Sequence, residues 1–203
     1  VGYDRDRDRA ERARELGAID DVAHDLAAAV AGADLVVVAV PVGVTAEVVI
    51  AALDAGATLV TDVGSVKAPV VEAVESARGA TAARFVGGHP MAGSEQDGLD
   101  GADADLFVGA TWVLTPTSTT DPSGFERVRD VAVRLGAEVI AVSPRHHDAL
   151  VAVVSHVPQL AATTLMDVAA RRGEEHATLL RLAAGGFRDM TRIVASHPAI
   201  WPD

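Results

Sequence analysis

The sequence predicts an α/β chain in two parts. Residues 1–143 should form an incomplete parallel sheet wrapped by helices, and residues 144–203 an all-helical second domain. Three observations carry this prediction. Short aliphatic runs alternate with helix-forming stretches up to Ser143-Pro144, the pattern of a doubly wound parallel sheet. The run 34–40 is rich in valine, as in a strand buried on both faces. Beyond Ser143-Pro144, helical stretches follow one another with no strand between them.

Each element has its own signal. Residues 1–4 read as the end of a strand. Residues 5–16 are charged and helix-forming, with Gly17 as C-cap. Residues 23–31 form a second helix and 34–40 the Val-rich strand. A helix over 45–53 and a strand over 57–62 follow, then a helix over 66–77 and a strand over 83–86. A short helix near 101–107 precedes a strand over 110–115. The helix 122–135 has Pro122 early and Gly136 just past its end. Residues 138–142 close the sheet. In the second domain, helices are expected over 145–170, 174–184 and 187–195, with a kink at Pro158.

Composition excludes several classes. A net charge of −12 disfavours nucleic acid and anionic membranes. There are no cysteines, which rules out disulfides and thiolate chemistry and fits a reducing cytoplasm. The apolar run 35–46 contains Pro41 and falls short of the ~20 residues of a membrane span. Hydrophobic residues make up 49% against 3% aromatics, so the core is aliphatic. The first residue is Val1 and the last three are Trp201-Pro202-Asp203, without a closing helix. A fragment of a longer protein is expected.

The segment Gly87-Gly88-His89-Pro90-Met91-Ala92-Gly93-Ser94-Glu95 is the most informative. It follows a strand, so His89 is expected on a loop at the strand's carboxyl end, where open α/β sheets bind ligands. The two glycines would let the backbone approach a ligand closely or adopt positive φ. His89 would then supply proton chemistry near neutral pH. Asp4 ends the first strand, the position from which a carboxylate holds adenosine ribose hydroxyls in Rossmann-like folds and selects NAD. Arg5 beside it leaves NADP open. Val40-Pro41 lies where a loop meets a bound dinucleotide. Ser65 could cap the following helix or present its hydroxyl to cofactor, substrate or His89. His146, His147 and His156 lack metal-ligand spacing, so no metal is expected. Asp189 and Arg192 share a helix face, either as a surface ion pair or as an arginine fork aimed at a carboxylate. Trp201 is an aromatic wall or core.

Taken together, the ordered set resembles the prephenate/arogenate dehydrogenases of tyrosine biosynthesis. The matching pieces are Val40-Pro41, Asp62-Val63-Gly64-Ser65-Val66-Lys67, Gly87 to Gly93, His147-Asp148, Ser155-His156-Val157-Pro158, and Gly185 to Ile193 with Trp201. That family oxidises a cyclohexadienol bearing a ring carboxylate. Hydride passes to nicotinamide and CO₂ departs as the ring becomes aromatic. The resemblance implies that His89 accepts the hydroxyl proton and that Ser65 orients His89 and bridges to nicotinamide. It implies that Arg192, held by Asp189, binds a substrate carboxylate, and that Glu95 and His147 line the pocket. Gln159, where family members often carry histidine, faces the substrate side chain. The resemblance implies NAD as cofactor, with NADP as the alternative, and a homodimer for the full-length protein. The Gly-rich phosphate loop of the family is missing. A β-hydroxyacid dehydrogenase would carry a catalytic lysine in the helical domain, and no lysine follows Lys67. A catalytically impaired nucleotide-binding or dimerisation fragment is the alternative outside enzymes.

Overall fold

The computed structural model of the chain describes residues 1–93, 98–175 and 178–195. Its element order is α1 (Arg7–Glu15), α2 (Leu26–Val30), β1 (Val36–Val38), α3 (Val42–Asp54), β2 (Val60–Asp62), α4 (Ala68–Arg78), β3 (Phe85–Pro90), β4 (Thr111–Thr115), α5 (Pro122–Arg134), β5 (Glu138–Ala141), α6 (Pro144–Val151), α7 (Val157–Glu175) and α8 (Gly185–Thr191). The five strands form one sheet in sequence order. It is a mixed α/β fold with a helical C-terminal part.

The alternation of small aliphatic residues with helix formers explains the layers. Adjacent strand residues point to opposite faces, so Phe85 and Val86 enter two different cores. Phe85 packs with Val49, Leu53, Val71 and Val74 from α3 and α4. Val86 packs with Leu114, Val128 and Ala132 from β4 and α5. Aspartates start three helices: Asp6, Asp25 and Asp121 accept first-turn amide N–H groups of α1, α2 and α5, as expected of N-caps. Gly17 and Gly136 follow α1 and α5 with φ of +75° and +87°, a conformation that costs glycine little.

The sheet departs from the all-parallel expectation at one joint. Strand β3 runs parallel to β2 through Phe85 and Val86. It then turns to pair antiparallel with β4, with His89 opposite Val113. The strand therefore does not stop at Val86. It continues through Gly87, Gly88 and His89, so His89 is a strand residue and not a loop residue. The glycines serve the same joint. A Cβ on Gly88 would lie 2.7 Å from the Asp62 carbonyl oxygen, and one on Gly87 would lie 2.5 Å from Thr115 Oγ1. Neighbouring strands demand the absence of a side chain; positive φ is absent at both.

Other expectations also shift. The first segment forms only an isolated parallel bridge, Gly2 to Val22. Strand β1 is not buried on both faces: Val37 is 51% exposed, because β1 lies at the end of the five-stranded order. The helix expected near 101–107 is a short 3-10 turn, Gly98–Gly101, followed by turns. A π-helical segment, Ala152–His156, joins α6 to α7 just before Pro158. Pro158 has no N–H to give, and the helix absorbs the defect by widening, a common substitute for a sharp break. The stretch Pro144–Gly173 is thus one helix, long and apolar enough by length and composition to cross a membrane. Among the described residues of 174–184, α7 reaches Glu175 and a 3-10 turn covers Leu179–Leu182 in place of the expected helix.

Candidate active site

The sheet joint and the start of α6 bring four ionisable side chains behind His89. Lys67 and Asp62 are both fully buried and form an ion pair. Lys67 Nζ also donates to the Gly88 carbonyl at 2.8 Å. Asp62 accepts the Gly88 N–H at 3.1 Å and the Gly64 N–H at 2.9 Å. Both backbone polar groups of the residue before His89 are thereby held by one buried pair. Burial pulls the Lys67 ammonium below its ordinary value, opposed by Asp62 and by Asp148.

On the other side, His89 Nδ1 lies 2.8 Å from His147 Nε2. The two rings meet edge to face with centroids 5.1 Å apart. His147 is 1% exposed, and its Nδ1 lies 2.7 Å from Asp148 Oδ1. Asp148 reaches across to α4. Its Oδ1 accepts the Lys67 N–H at 2.9 Å and its Oδ2 the Ala68 N–H at 2.8 Å. This carboxylate caps α4, the role expected of Ser65; α4 begins at Ala68 with no cap from its own flanking side chains. Burial works to raise the Asp148 carboxyl, but hydrogen bonds from His147, Lys67 and Ala68 together hold it below its ordinary value.

His89 itself is half-buried. Burial, then the nearby His147 and Lys67, push its pKa down to about 4, with Asp148 pulling the other way. At neutral pH the imidazole is uncharged. Its Nδ1 is engaged, and its Nε2 has no hydrogen-bond partner among the described residues. A neutral ring with one nitrogen held and the other open is suited to accept a proton.

The remaining residues expected at the site are more scattered. Ser65 is exposed, and no hydrogen bond joins it to His89 among the described residues; His147 orients that ring instead. Asp4 is half-buried and accepts the Asp6 N–H at 2.8 Å. Pro41 precedes α3, whose first turn has no side-chain cap. Buried Thr45 donates back to the Pro41 carbonyl at 3.2 Å and fixes the Val40-Pro41 turn. Gln159 lies half-buried on α7. Asp189 ends up exposed on α8, and Arg192 exposed on the 3-10 turn after it. Neither forms an ion pair with the other, and none of the described hydrogen bonds joins them to the His89 cluster. Glu95 and Trp201 lie outside the described residues. Among the described residues, no three His, Cys, Asp or Glu side chains gather to hold a metal ion.

The family match is complete along the chain. A family model described as "Prephenate dehydrogenase, nucleotide-binding domain" matches residues 1–141. A second, "Prephenate dehydrogenase, dimerization domain", matches residues 143–203. The chain belongs to the prephenate dehydrogenase family. It is 36% identical to the prephenate dehydrogenase of Bacillus subtilis (strain 168), covering 100% of this chain and 55% of that protein. The chain spans about half the length of the curated prephenate dehydrogenases it matches first. The crystal structure of the Aquifex aeolicus prephenate dehydrogenase in complex with hydroxyphenyl propionate and NAD+ superposes with a TM-score of 0.88 at 35% identity, covering 98% of this chain and 70% of that one. A Synechocystis arogenate dehydrogenase structure gives 0.80 at 32% identity, covering 97% and 70%.

Sequence reasoning about this family member missed Asp62, Lys67 and Asp148 as parts of one cluster. Lys67 carried a signal, being the only lysine among 17 basic residues. Asp148 was legible only as part of the His147-Asp148 motif, because its capping partners are 80 and 81 residues away.

Proposed function

We propose that this chain carries the catalytic face of an NAD-dependent prephenate dehydrogenase, which converts prephenate to 4-hydroxyphenylpyruvate in tyrosine biosynthesis. Arogenate, which shares the cyclohexadienol ring, is the alternative substrate. The observation that carries the reading is His89, an uncharged imidazole at the sheet joint with Nδ1 held and no partner for Nε2 among the described residues. Its role is general base: it accepts the ring hydroxyl proton as hydride leaves the same carbon.

The residues present fit a dinucleotide. The uncapped first turn of α3 follows β1, and a helix N-terminus favours phosphate. Asp4, Val40-Pro41 and Ser65 would hold the cofactor. Arg5 makes NADP the alternative. Bound there, the oxidised nicotinamide supplies the hydride acceptor. Arg192, carrying a guanidinium exposed to solvent, would bind a substrate carboxylate, and Asp189, Glu95, His147, Gln159 and Trp201 would shape the pocket around it. Aromatisation drives the reaction, so the protein's part is to position and polarise.

The full-length protein would be a cytoplasmic homodimer. Val153, Val154, Val157 and Leu160 on the long helix are 58–67% exposed, more apolar surface than a lone helix leaves in water. The same helix bonds to β3 through His147 and to the start of α4 through Asp148, which favours a protein partner over a bilayer. The test is an assay of prephenate and arogenate with NAD and NADP, on this chain and on a version extended upstream by about thirty residues, roughly a βα unit. Turnover of either substrate is expected once dinucleotide binds. Dinucleotide binding without turnover of either would refute the reading.

A further inference from the structure

Three side chains and a helix start form one hydrogen-bonded line ending on His89. Asp148 accepts the Lys67 and Ala68 N–H groups and lies 2.7 Å from His147 Nδ1. An ionised carboxylate accepts and never donates. His147 must therefore carry its proton on Nδ1, which leaves its Nε2 as an acceptor. The group 2.8 Å away is His89 Nδ1, which must then be the protonated nitrogen of that ring. The lone pair of His89 is left on Nε2. The groups facing His89 are Lys67 from the turn before α4 and His147 and Asp148 from α6. Asp148 is the only anion of the three.

We propose that Asp148 and His147 are positioning residues that lock His89 in its Nδ1–H tautomer and share the positive charge it acquires on taking a proton. This rests on the reading of His89 as the proton acceptor given above. The substrate O–H bond breaks and its proton joins His89 Nε2, while hydride from the same carbon goes to nicotinamide. The bond to the ring carboxylate then breaks, its electron pair enters the ring, and CO₂ leaves. The phenolate oxygen takes the proton back from His89, so no proton is released overall. The imidazolium exists only between these events, with His147 Nε2 and, behind it, Asp148 aligned to support it. A carboxylate that sets the tautomer of a catalytic imidazole is the arrangement of the serine protease triad; here a second imidazole is inserted between them.

Nitrogen NMR of the chain with ring-labelled histidine at neutral pH tests this directly. His89→Asn and His147→Gln identify the two rings by loss of signal. Both rings should show a protonated Nδ1 and a bare Nε2. Asp148→Asn, which replaces one acceptor oxygen by a donor, should move His89 to a mixture of tautomers, and His147→Gln should do the same. A proton on His89 Nε2 in the unaltered chain, or an unchanged tautomer in both variants, overturns the proposal. If Asp148→Asn fails to fold through loss of the α4 cap, His147→Gln decides alone, since it leaves the cap intact. In turnover, His147→Gln should lower kcat by about 10²-fold, a larger change than any in KM. A loss expressed only in KM would overturn the positioning role. Absence of any turnover by the unaltered chain counts against the functional reading and leaves the tautomer result standing.

Discussion

His89 and Arg192 are both proposed to meet the substrate, yet their surroundings have little in common. Behind His89, the buried side chains Asp62, Lys67 and His147 and the partly covered Asp148 are held by an ion pair and hydrogen bonds. Arg192 sits exposed on a 3-10 turn with Asp189 exposed nearby and unpaired to it. One half of the site is thus preorganised within this chain, and the other half has a charge in water. Groups of the first kind govern chemistry and stability together. Groups of the second kind govern affinity alone.

The contrast can be broken by mutation. The largest effect is expected at His89: His89→Asn should lower kcat by about 10²–10⁴-fold while leaving dinucleotide affinity intact, as measured by steady-state kinetics and titration. Equal loss of both would make His89 a structural residue. Next, Lys67→Met leaves a buried carboxylate unpaired and should destabilise the fold by about 3–5 kcal/mol. Urea denaturation reads this directly, and a loss under 1 kcal/mol would mean that Asp62 finds water.

Acid should sharpen the same difference. The folded His89 pKa of about 4 lies below the ordinary 6.5, so the unfolded chain binds the extra proton first. The stabilisation is present above pH 6.5, drains as pH falls towards 4, and changes no further below it. Its upper bound is about 3 kcal/mol. Denaturation midpoints measured from pH 7 to 4 should lose this slope in His89→Asn. The smallest effect on folding is expected at Arg192: Arg192→Gln should move stability by less than about 0.5 kcal/mol. It should raise the substrate KM by about ten-fold or more, as for loss of a charged hydrogen bond. A destabilisation comparable to Lys67→Met would erase the distinction between the two halves.

Local signals made much of the fold legible. Pro122 and Gly136 bracket α5 because each acts within its own turn of chain, and the Val-rich run 34–40 marks β1. The antiparallel joint at Gly87 was hidden, since strand direction depends on a partner more than twenty residues away. His89 itself was legible from its glycines and proline, although those glycines answer to neighbouring strands and not to a ligand. The support behind it was not. A His-Asp pair at a helix start looks like any solvated turn, and only the packed chain reveals that Asp148 is the cap of another helix.

That capping carboxylate also acts as a latch. The long helix meets α4 through bonds of 2.8–2.9 Å from Asp148, while one residue of axial slip moves a helix by about 1.5 Å. A slide that small would unhook the latch and strip the imidazole of its backing in the same motion. While those two bonds hold, the long helix and the start of α4 keep one register.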